Sequence, residues 1–329
     1  MREEVSRCQA ASVFKKNAQR SYLVENMKII ITGASSFLGH AACEKLKEHG
    51  HEVHAFRHSF NEEPPEAVPA SADLWLHFAW AGAGSAGRSD PGIQKYNLDM
   101  SLDAVAKAIE TGCRKFIFAG SQAEYGHAQD GGPKSEDGAT APVSEYGAAK
   151  EMFGHFAENM IEQYNSSEQC FRPMRYVHMR LFSVYGPGDH ENALIPTLLR
   201  KLRSGEEAEL GNCTQLWNYL YVDDAAEAIA LLCEKFTGGI YNIGSRDTRP
   251  LKSYVNELAD VTAAYLKEQS EAAGDLKQLI RFGIRPDNAE GPADLSPDIG
   301  KLEALGFEPK VSFAEGIRRI LAESGDHTA

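Results

Sequence analysis

Met27-Lys28-Ile29-Ile30-Ile31-Thr32-Gly33-Ala34-Ser35-Ser36-Phe37-Leu38-Gly39 is the stretch that decides the fold. Its first half is short, β-branched and closed by glycine, which predicts a strand buried on both faces of a parallel sheet. Phe37 to His49 follows as an amphipathic helix. A tight glycine turn between the two exposes the free amides and positive end of a helix N-terminus, a natural seat for a pyrophosphate. Gly33 permits the turn, and Gly39 permits close packing of helix on sheet. Ser36 stands where the usual fingerprint has its middle glycine; its side chain narrows the approach, but its hydroxyl can donate to a phosphate oxygen.

Strands and helices alternate outward from this unit. Glu52 to Phe56, Leu74 to Ala79, Lys115 to Ala119 and Arg175 to Phe182 read as strands; Leu98 to Glu110 and Ser144 to Tyr164 read as helices. That alternation predicts a doubly wound parallel sheet with right-handed crossovers. Polar, Gly/Pro-rich segments at 61–72 and 127–141 interrupt it. Beyond Gly186 the pattern loosens into short helices (193–204, 251–266, 313–322) with brief strands between them, the mark of a smaller lobe. Tyr219-Leu220-Tyr221-Val222-Asp223-Asp224 and Ile240-Tyr241-Asn242-Ile243-Gly244 read as segments returning to the main sheet. The expected division is a leader at 1–26, a dinucleotide-binding domain at 27–186 and a second lobe at 187–329, with 219–245 rejoining the first domain. The leader has no periodic apolar face and is assigned no chemistry.

Composition narrows the partners. The 329 residues carry a formal charge of −13 and are 43% hydrophobic, enough for a large core. No Lys/Arg cluster breaks the acidity, so nucleic acid and anionic membranes are not expected partners. An anionic ligand would be held locally, by backbone amides or single arginines. The six cysteines are scattered without a Cys-x-x-Cys pair, which argues against zinc and suits reduced thiols in the cytoplasm. No apolar run reaches the ~18–20 residues of a membrane span.

Two further stretches carry chemistry. Ser144-Glu145-Tyr146-Gly147-Ala148-Ala149-Lys150 puts a tyrosine and a lysine on one helical face. A nearby ammonium favours the phenolate of a tyrosine whose ordinary pKa is about 10, making Tyr146 a usable proton donor or acceptor. Phe118-Ala119-Gly120-Ser121-Gln122-Ala123-Glu124-Tyr125-Gly126 ends a strand at the carboxyl edge of the sheet, where Ser121 can hydrogen-bond a substrate oxygen. Arg57 follows the second strand where an NAD-selective site has an acid for the ribose 2′-hydroxyl. An arginine there suits a 2′-phosphate and favours NADP over NAD.

Together with His77-Phe78-Ala79-Trp80, the run Arg180-Leu181-Phe182-Ser183-Val184-Tyr185-Gly186-Pro187-Gly188, Tyr221-Val222-Asp223-Asp224 and Tyr241-Asn242-Ile243-Gly244, these motifs resemble the extended short-chain dehydrogenase/reductase family. These are the NAD(P)-dependent nucleotide-sugar epimerases, dehydratases and reductases. The likeness runs from Met27 to Leu321. It implies a Rossmann-type α/β fold with a smaller mixed α/β substrate-binding lobe, and a homodimer. It implies Ser121, Tyr146 and Lys150 as the catalytic set. Dinucleotide contacts are implied at Gly33, Ser35, Ser36, Phe37, Leu38, Gly39, Arg57, Phe78, Ala79, Trp80, Ala119, Tyr146, Lys150 and Phe182. Substrate contacts are implied at Ser121, Gln122, Ala123, Tyr146, Ser183, Asn192 and Arg285, with no metal.

Departures narrow the activity. Relatives that dehydrate at C4–C6 carry an Asp-Glu pair after the hydroxyl residue, where this chain has Gln122-Ala123. Without those carboxylates the elimination lacks its acid and base. Trp217 stands where many relatives grip the nucleotide diphosphate with arginine, leaving Arg285 as the matching cation. The expectation is therefore a 4-keto sugar nucleotide reductase using NADP, with an NAD-dependent nucleotide-sugar 4-epimerase as the alternative. A non-catalytic cofactor-sensing protein is the third reading.

Overall fold

The structure, a computed structural model, describes residues 26–127, 132–235, 237–269, 274–286 and 294–325. The leader at 1–25 lies outside the described residues. Chain order is β1 (Lys28–Thr32), α1 (Phe37–Glu48), β2 (Glu52–Phe56), β3 (Leu74–His77), α2 (Ser85–Arg88), α3 (Pro91–Glu110), β4 (Lys115–Ala119), α4 (Glu145–Asn165), β5 (Arg175–Leu181) and β6 (Ser183–Tyr185). There follow α5 (Leu194–Arg203), β7 (Ala208–Glu209), β8 (Leu216–Tyr221), α6 (Val222–Glu234), β9 (Gly239–Ile243) and β10 (Thr248–Pro250). The last elements are α7 (Leu251–Glu268), β11 (Ile280–Arg281), α8 (Gly300–Glu303) and α9 (Phe313–Gly325).

Six parallel strands form the main sheet in the order β2-β1-β3-β4-β5-β9. Strand residues alternate between two cores, as the pleat requires. Ile29, Ile31, Leu76 and Ile117 pack with α1 and α6 on one face. Ile30, Trp75, Phe116 and Phe118 pack with α3 and α4 on the other, against Ala104, Phe153 and Ala157. Both faces are covered, which is why β1 is apolar from Ile29 to Ile31 and β4 from Phe116 to Ala119. A separate core, with Leu198, Leu202, Tyr254, Leu258 and Ile317, holds the smaller lobe.

Polar groups also sit inside this frame, His77 and Lys115 among them. His77 in β3 is fully buried, its Nδ1 2.6 Å from Thr32 Oγ1 and its Nε2 2.9 Å from Ser101 Oγ. Burial, with the Lys150 charge adding to it, pushes its pKa down to about 3, so the ring is neutral. Lys115 at the start of β4 donates to the carbonyls of Leu232 (2.6 Å), Cys233 (3.0 Å) and Lys235 at the negative end of α6. Burial lowers its pKa to about 8, while the carbonyls favour its charge.

Two expectations change. Helix α3 begins at Pro91, well before Leu98, because Asp90 caps it and proline suits the first turn: Asp90 Oδ1 accepts from Gly92 and Ile93 amides. Tyr219–Tyr221 does not join the main sheet. It belongs to β8, which pairs with β6 and β10 in a three-stranded sheet of its own. The buried Asn218 side chain pins β8 there, donating to the Ser245 and Asp247 carbonyls. The chain returns through α6, whose Ala225, Ala228 and Ile229 pack in the main core, and through β9, the sixth strand.

Candidate active site

The turn after β1 is built as its glycines suggest. Gly33 has φ +77°, and a Cβ there would lie 2.5 Å from the Ala79 nitrogen, so the turn lies directly against the end of β3. A Cβ on Gly39 would lie 2.3 Å from the Gly33 carbonyl oxygen. The Ala34 and Ser35 amides donate to the carbonyls of Phe56 and Arg57, fastening the turn to the end of β2. The Ser35 hydroxyl also donates to the Arg57 carbonyl, at 2.7 Å. Ser36 caps α1: its hydroxyl donates to the Gly33 carbonyl at 2.7 Å and accepts from the Gly39 amide at 3.1 Å. That hydroxyl is occupied by the turn, so its expected donation to phosphate gives way to a capping role. Among the described residues, no acceptor faces the Phe37 and Leu38 amides at the helix start. Two open amides at a positive helix end fit a pyrophosphate. Arg57 is exposed at the end of β2.

On the far side of the β3 end, Tyr146 and Lys150 occupy one turn of α4, with exposures of 8% and 4%. Ser144 caps that helix, its Oγ accepting from the Gly147 amide. Gly147 brings the helix start against the serine turn: a Cβ there would lie 2.5 Å from the Ala123 carbonyl oxygen. Lys150 Nζ donates to the Ala119 carbonyl. It lies 4.3, 4.7 and 5.2 Å from the ring centroids of Trp80, Phe118 and Tyr146. Burial in this aromatic box pushes its pKa down to about 7; Glu124 opposes the shift and Arg88 adds to it. Trp80 meets Tyr146 edge-on and donates its indole N–H to Gln94 Oε1 at 2.9 Å.

Ser121 is 8% exposed and caps a turn of 3-10 helix at Gln122–Glu124. Its Oγ accepts from the Ala123 amide at 3.1 Å and its own amide donates to Glu124 Oε1 at 2.7 Å. Glu124 is fully buried between His178 Nε2 (2.9 Å) and Arg180 Nε (3.0 Å); burial alone would raise its pKa, but these two partners and the Ser121 amide outweigh it and hold the carboxyl below the ordinary range. Tyr125 donates to Asn242 Oδ1 at 2.7 Å, tying the serine turn to β9. The structure therefore brings Trp80, Ala119, Tyr146 and Lys150 into one cluster, with Ser121 on the adjoining turn, while Ala79 lies against the Gly33 turn.

The residues expected to contact substrate have few polar partners. Phe182, 3% exposed, packs with Tyr125, Leu295 and Trp217. Gln122 Nε2 donates weakly to Ser183 Oγ at 3.4 Å, and among the described residues neither its buried Oε1 nor the Trp217 indole nitrogen has a partner. Asn192 and Arg285 are exposed, and no contact among the described residues joins either to the Tyr146 cluster. A cavity of 780 Å³ lined by Ser36, Phe37, His40, Gly188, Tyr221 and Arg319 lies along α1, α6 and α9, away from Tyr146. Among the described residues there is no metal-ligand cluster and no helix long and apolar enough to cross a membrane.

Arg88, Glu124 and Gln94 were not anticipated. Glu124 had a local signal, since Ser121-x-x-Glu124 is a capping box; Arg88 and Gln94 are placed by tertiary packing alone.

The chain belongs to the NAD dependent epimerase/dehydratase family, whose model matches residues 29–244. It is similar to the 2-alkyl-3-oxoalkanoate reductase of Stenotrophomonas maltophilia, 25% identical, covering 91% of this chain and 99% of the relative. It is similar also to the UDP-N-acetyl-alpha-D-glucosaminuronate decarboxylase of Bacillus cytotoxicus, 24% identical over 89% of this chain and 96% of the relative. The crystal structure of Thermus thermophilus UDP-glucose 4-epimerase in complex with NAD shares its fold, with TM-score 0.73 and 22% identity over 92% of this chain and 100% of that one.

Proposed function

We propose that the protein is a reductase acting at the C4 ketone of a 4-keto sugar nucleotide. The observation that carries this reading is the single buried turn of α4 holding Tyr146 and Lys150 beside the Ser121 turn, at the carboxyl edge of the sheet. A nicotinamide dinucleotide, when bound, supplies the hydride. The Phe37 and Leu38 amides would hold its pyrophosphate, and Lys150 its ribose. Tyr146 passes its hydroxyl proton to the ketone oxygen as that oxygen becomes an alcohol, and takes a proton back in the reverse direction. Ser121 orients the same oxygen by hydrogen bonding, and Lys150 stabilises the phenolate left on Tyr146. The dry aromatic box around Lys150 strengthens that attraction.

Arg57, exposed beyond β2, supports NADP as the dinucleotide. A 4-epimerase would use the same residues in both directions and retain its dinucleotide between turnovers. A second reading comes from Trp217, which with Phe182 and Leu295 offers an apolar wall where relatives place arginine. That wall favours an oxo substrate bearing an apolar chain, of the class named for the Stenotrophomonas relative. Cys43, Cys113, Cys170 and Cys233 are free thiols, which supports a reducing cytoplasmic setting. Exposed Tyr96 on α3 and Met152 and Phe156 on α4 support the expected homodimer.

The test is oxidation of NADPH and NADH with a panel of 4-keto sugar nucleotides and 2-alkyl-3-oxo acids. On whichever substrate turns over, Tyr146→Phe is expected to cost about 10²–10⁴-fold in kcat, the usual worth of an acid–base group. Wild-type turnover in that variant would remove Tyr146 from the chemistry.

A further inference from the structure

We propose that Arg88 is a second cation of the catalytic tyrosine, laid on the face of the Tyr146 ring so that it favours the phenolate alongside Lys150. The inference rests on the reading of Tyr146 as the acid–base group and adds a positioning and tuning residue to it.

The Arg88 guanidinium carbon lies 4.2 Å from the Tyr146 ring centroid, nearer than Lys150 Nζ at 5.2 Å. Trp80 closes the ring edge-on, with centroids 6.3 Å apart at 87°. Arg88 is also held by construction. It ends α2, in a loop so tight that a Cβ on Gly87 would lie 2.4 Å from Gly82 Cα. Gln94, 3% exposed, fastens this loop to the site: its Nε2 donates to the Gly87 carbonyl at 2.8 Å while its Oε1 accepts from Trp80. The buried Asn97 does the same for Ala81, bonding both its amide and its carbonyl at 2.8 Å. A surface arginine resting by chance on an aromatic ring needs no such framework.

The two cations differ in kind. A guanidinium keeps its charge through the whole working range, whereas an ammonium in a dry site gives its proton up readily. Burial has already brought Lys150 down to about 7, and Arg88 itself contributes to that shift. Above neutrality Lys150 is increasingly neutral, and the permanent charge on the ring face is that of Arg88. A cation this close favours phenolate over phenol. Of the charges that bear on Lys150, Glu124, from the serine turn, supports its ammonium and is itself paired with Arg180 at 3.0 Å. Arg88 therefore acts on Tyr146 from one face, Lys150 from the same helix and Glu124 through Lys150.

The experiment is a tyrosinate titration by ultraviolet difference spectroscopy on the whole chain, with neither substrate nor dinucleotide present. Among the 12 tyrosines, Tyr146 is isolated by subtracting the curve of Tyr146→Phe. The same subtraction is made within Arg88→Gln and within Arg88→Lys. Arg88→Gln is expected to raise the Tyr146 midpoint by about one pH unit, the usual scale for losing one close charge, and Arg88→Lys to recover most of it. Should Arg88→Gln fold poorly, Arg88→Met, uncharged and of similar reach, takes its place. An unmoved midpoint overturns the proposal, as does an equal rise in the neutral and lysine variants, which would mark packing rather than charge. Because no substrate enters the titration, an error in the assigned reaction leaves this result standing. A shift here likewise says nothing for the sugar nucleotide.

Discussion

The backbone amide of Ser121 donates to Glu124 Oε1 across 2.7 Å, so the residue that would orient a substrate oxygen is held by a carboxylate with no exposed surface. The same carboxylate joins two neighbouring sheet residues of β5, His178 and Arg180. Room for this arrangement comes from missing side chains. A Cβ on Gly120 would lie 2.2 Å from His178 Nε2, and one on Gly154 2.7 Å from His178 Nδ1.

Glu124→Leu would leave the Arg180 guanidinium buried beside a hydrocarbon. Breaking a buried pair from one side costs about 3–5 kcal/mol, which a urea denaturation series would show as a lower midpoint at unchanged slope. Glu124→Gln keeps an acceptor for the Ser121 amide and should lose less. Wild-type stability in the leucine variant would show that the network bears no strain of this kind.

Acid should destabilise the fold in two stages. His77 has a folded pKa of about 3, below the 6.5 of an ordinary imidazole, so the unfolded chain binds the extra proton between those values. Stability due to neutral His77 is full above pH 6.5 and falls with acidification at up to about 1.4 kcal/mol per pH unit. Glu124, whose carboxyl is held below its ordinary 4.5, adds a further loss only below that pH. His77→Gln should remove one proton's worth of slope between pH 6.5 and 4.5. An unchanged slope in that variant would assign the acid sensitivity elsewhere.

Gly39→Ala tests the dinucleotide turn. The new methyl would lie 2.3 Å from the Gly33 carbonyl oxygen, and the turn would shift to relieve it. Overpacking of this kind costs typically about 1–3 kcal/mol of stability. Because the Phe37 and Leu38 amides move with the turn, NADPH affinity should fall by at least about tenfold, or 1.4 kcal/mol. Fluorescence titration of bound NADPH reads this directly; a folded variant with unchanged affinity would place the pyrophosphate elsewhere.

Arg57→Asp addresses dinucleotide choice. If the guanidinium faces a 2′-phosphate, the substitution removes a charge-assisted pair and adds repulsion. NADPH should then weaken far more than NADH. Equal changes in the two dissociation constants would dispose of the NADP preference.

What was legible beforehand is what local chemistry decides. Gly33 and Gly39 mark a turn because only glycine tolerates a neighbour's backbone so close, and the Tyr146/Lys150 spacing follows from helix periodicity alone. The apolar runs of β1 and β4 announced a sheet covered on both faces. Tyr219–Tyr221 looked like the same kind of run, but its place depends on what Asn218 bonds, and those partners lie 27 to 30 residues away. Arg88 was hidden for a related reason: a loop arginine has no periodicity, and its seat on Tyr146 is created by Gln94 and Gly82. The apolar cluster of Trp217, Phe182 and Leu295 likewise draws on three distant segments.

Lys115 has one more consequence, for the order in which the chain can be finished. Its acceptors at Leu232, Cys233 and Lys235 lie 117, 118 and 120 residues downstream, and β9 is the last strand of the main sheet. On a ribosome, the first five strands emerge with a buried ammonium lacking its carbonyls and with β5 still an open edge. The smaller lobe's α5 and β8 are synthesised during that interval. The nascent sheet must therefore wait for a segment beyond the inserted lobe, and a chain cut short before Gly239 would present an unprotected parallel edge.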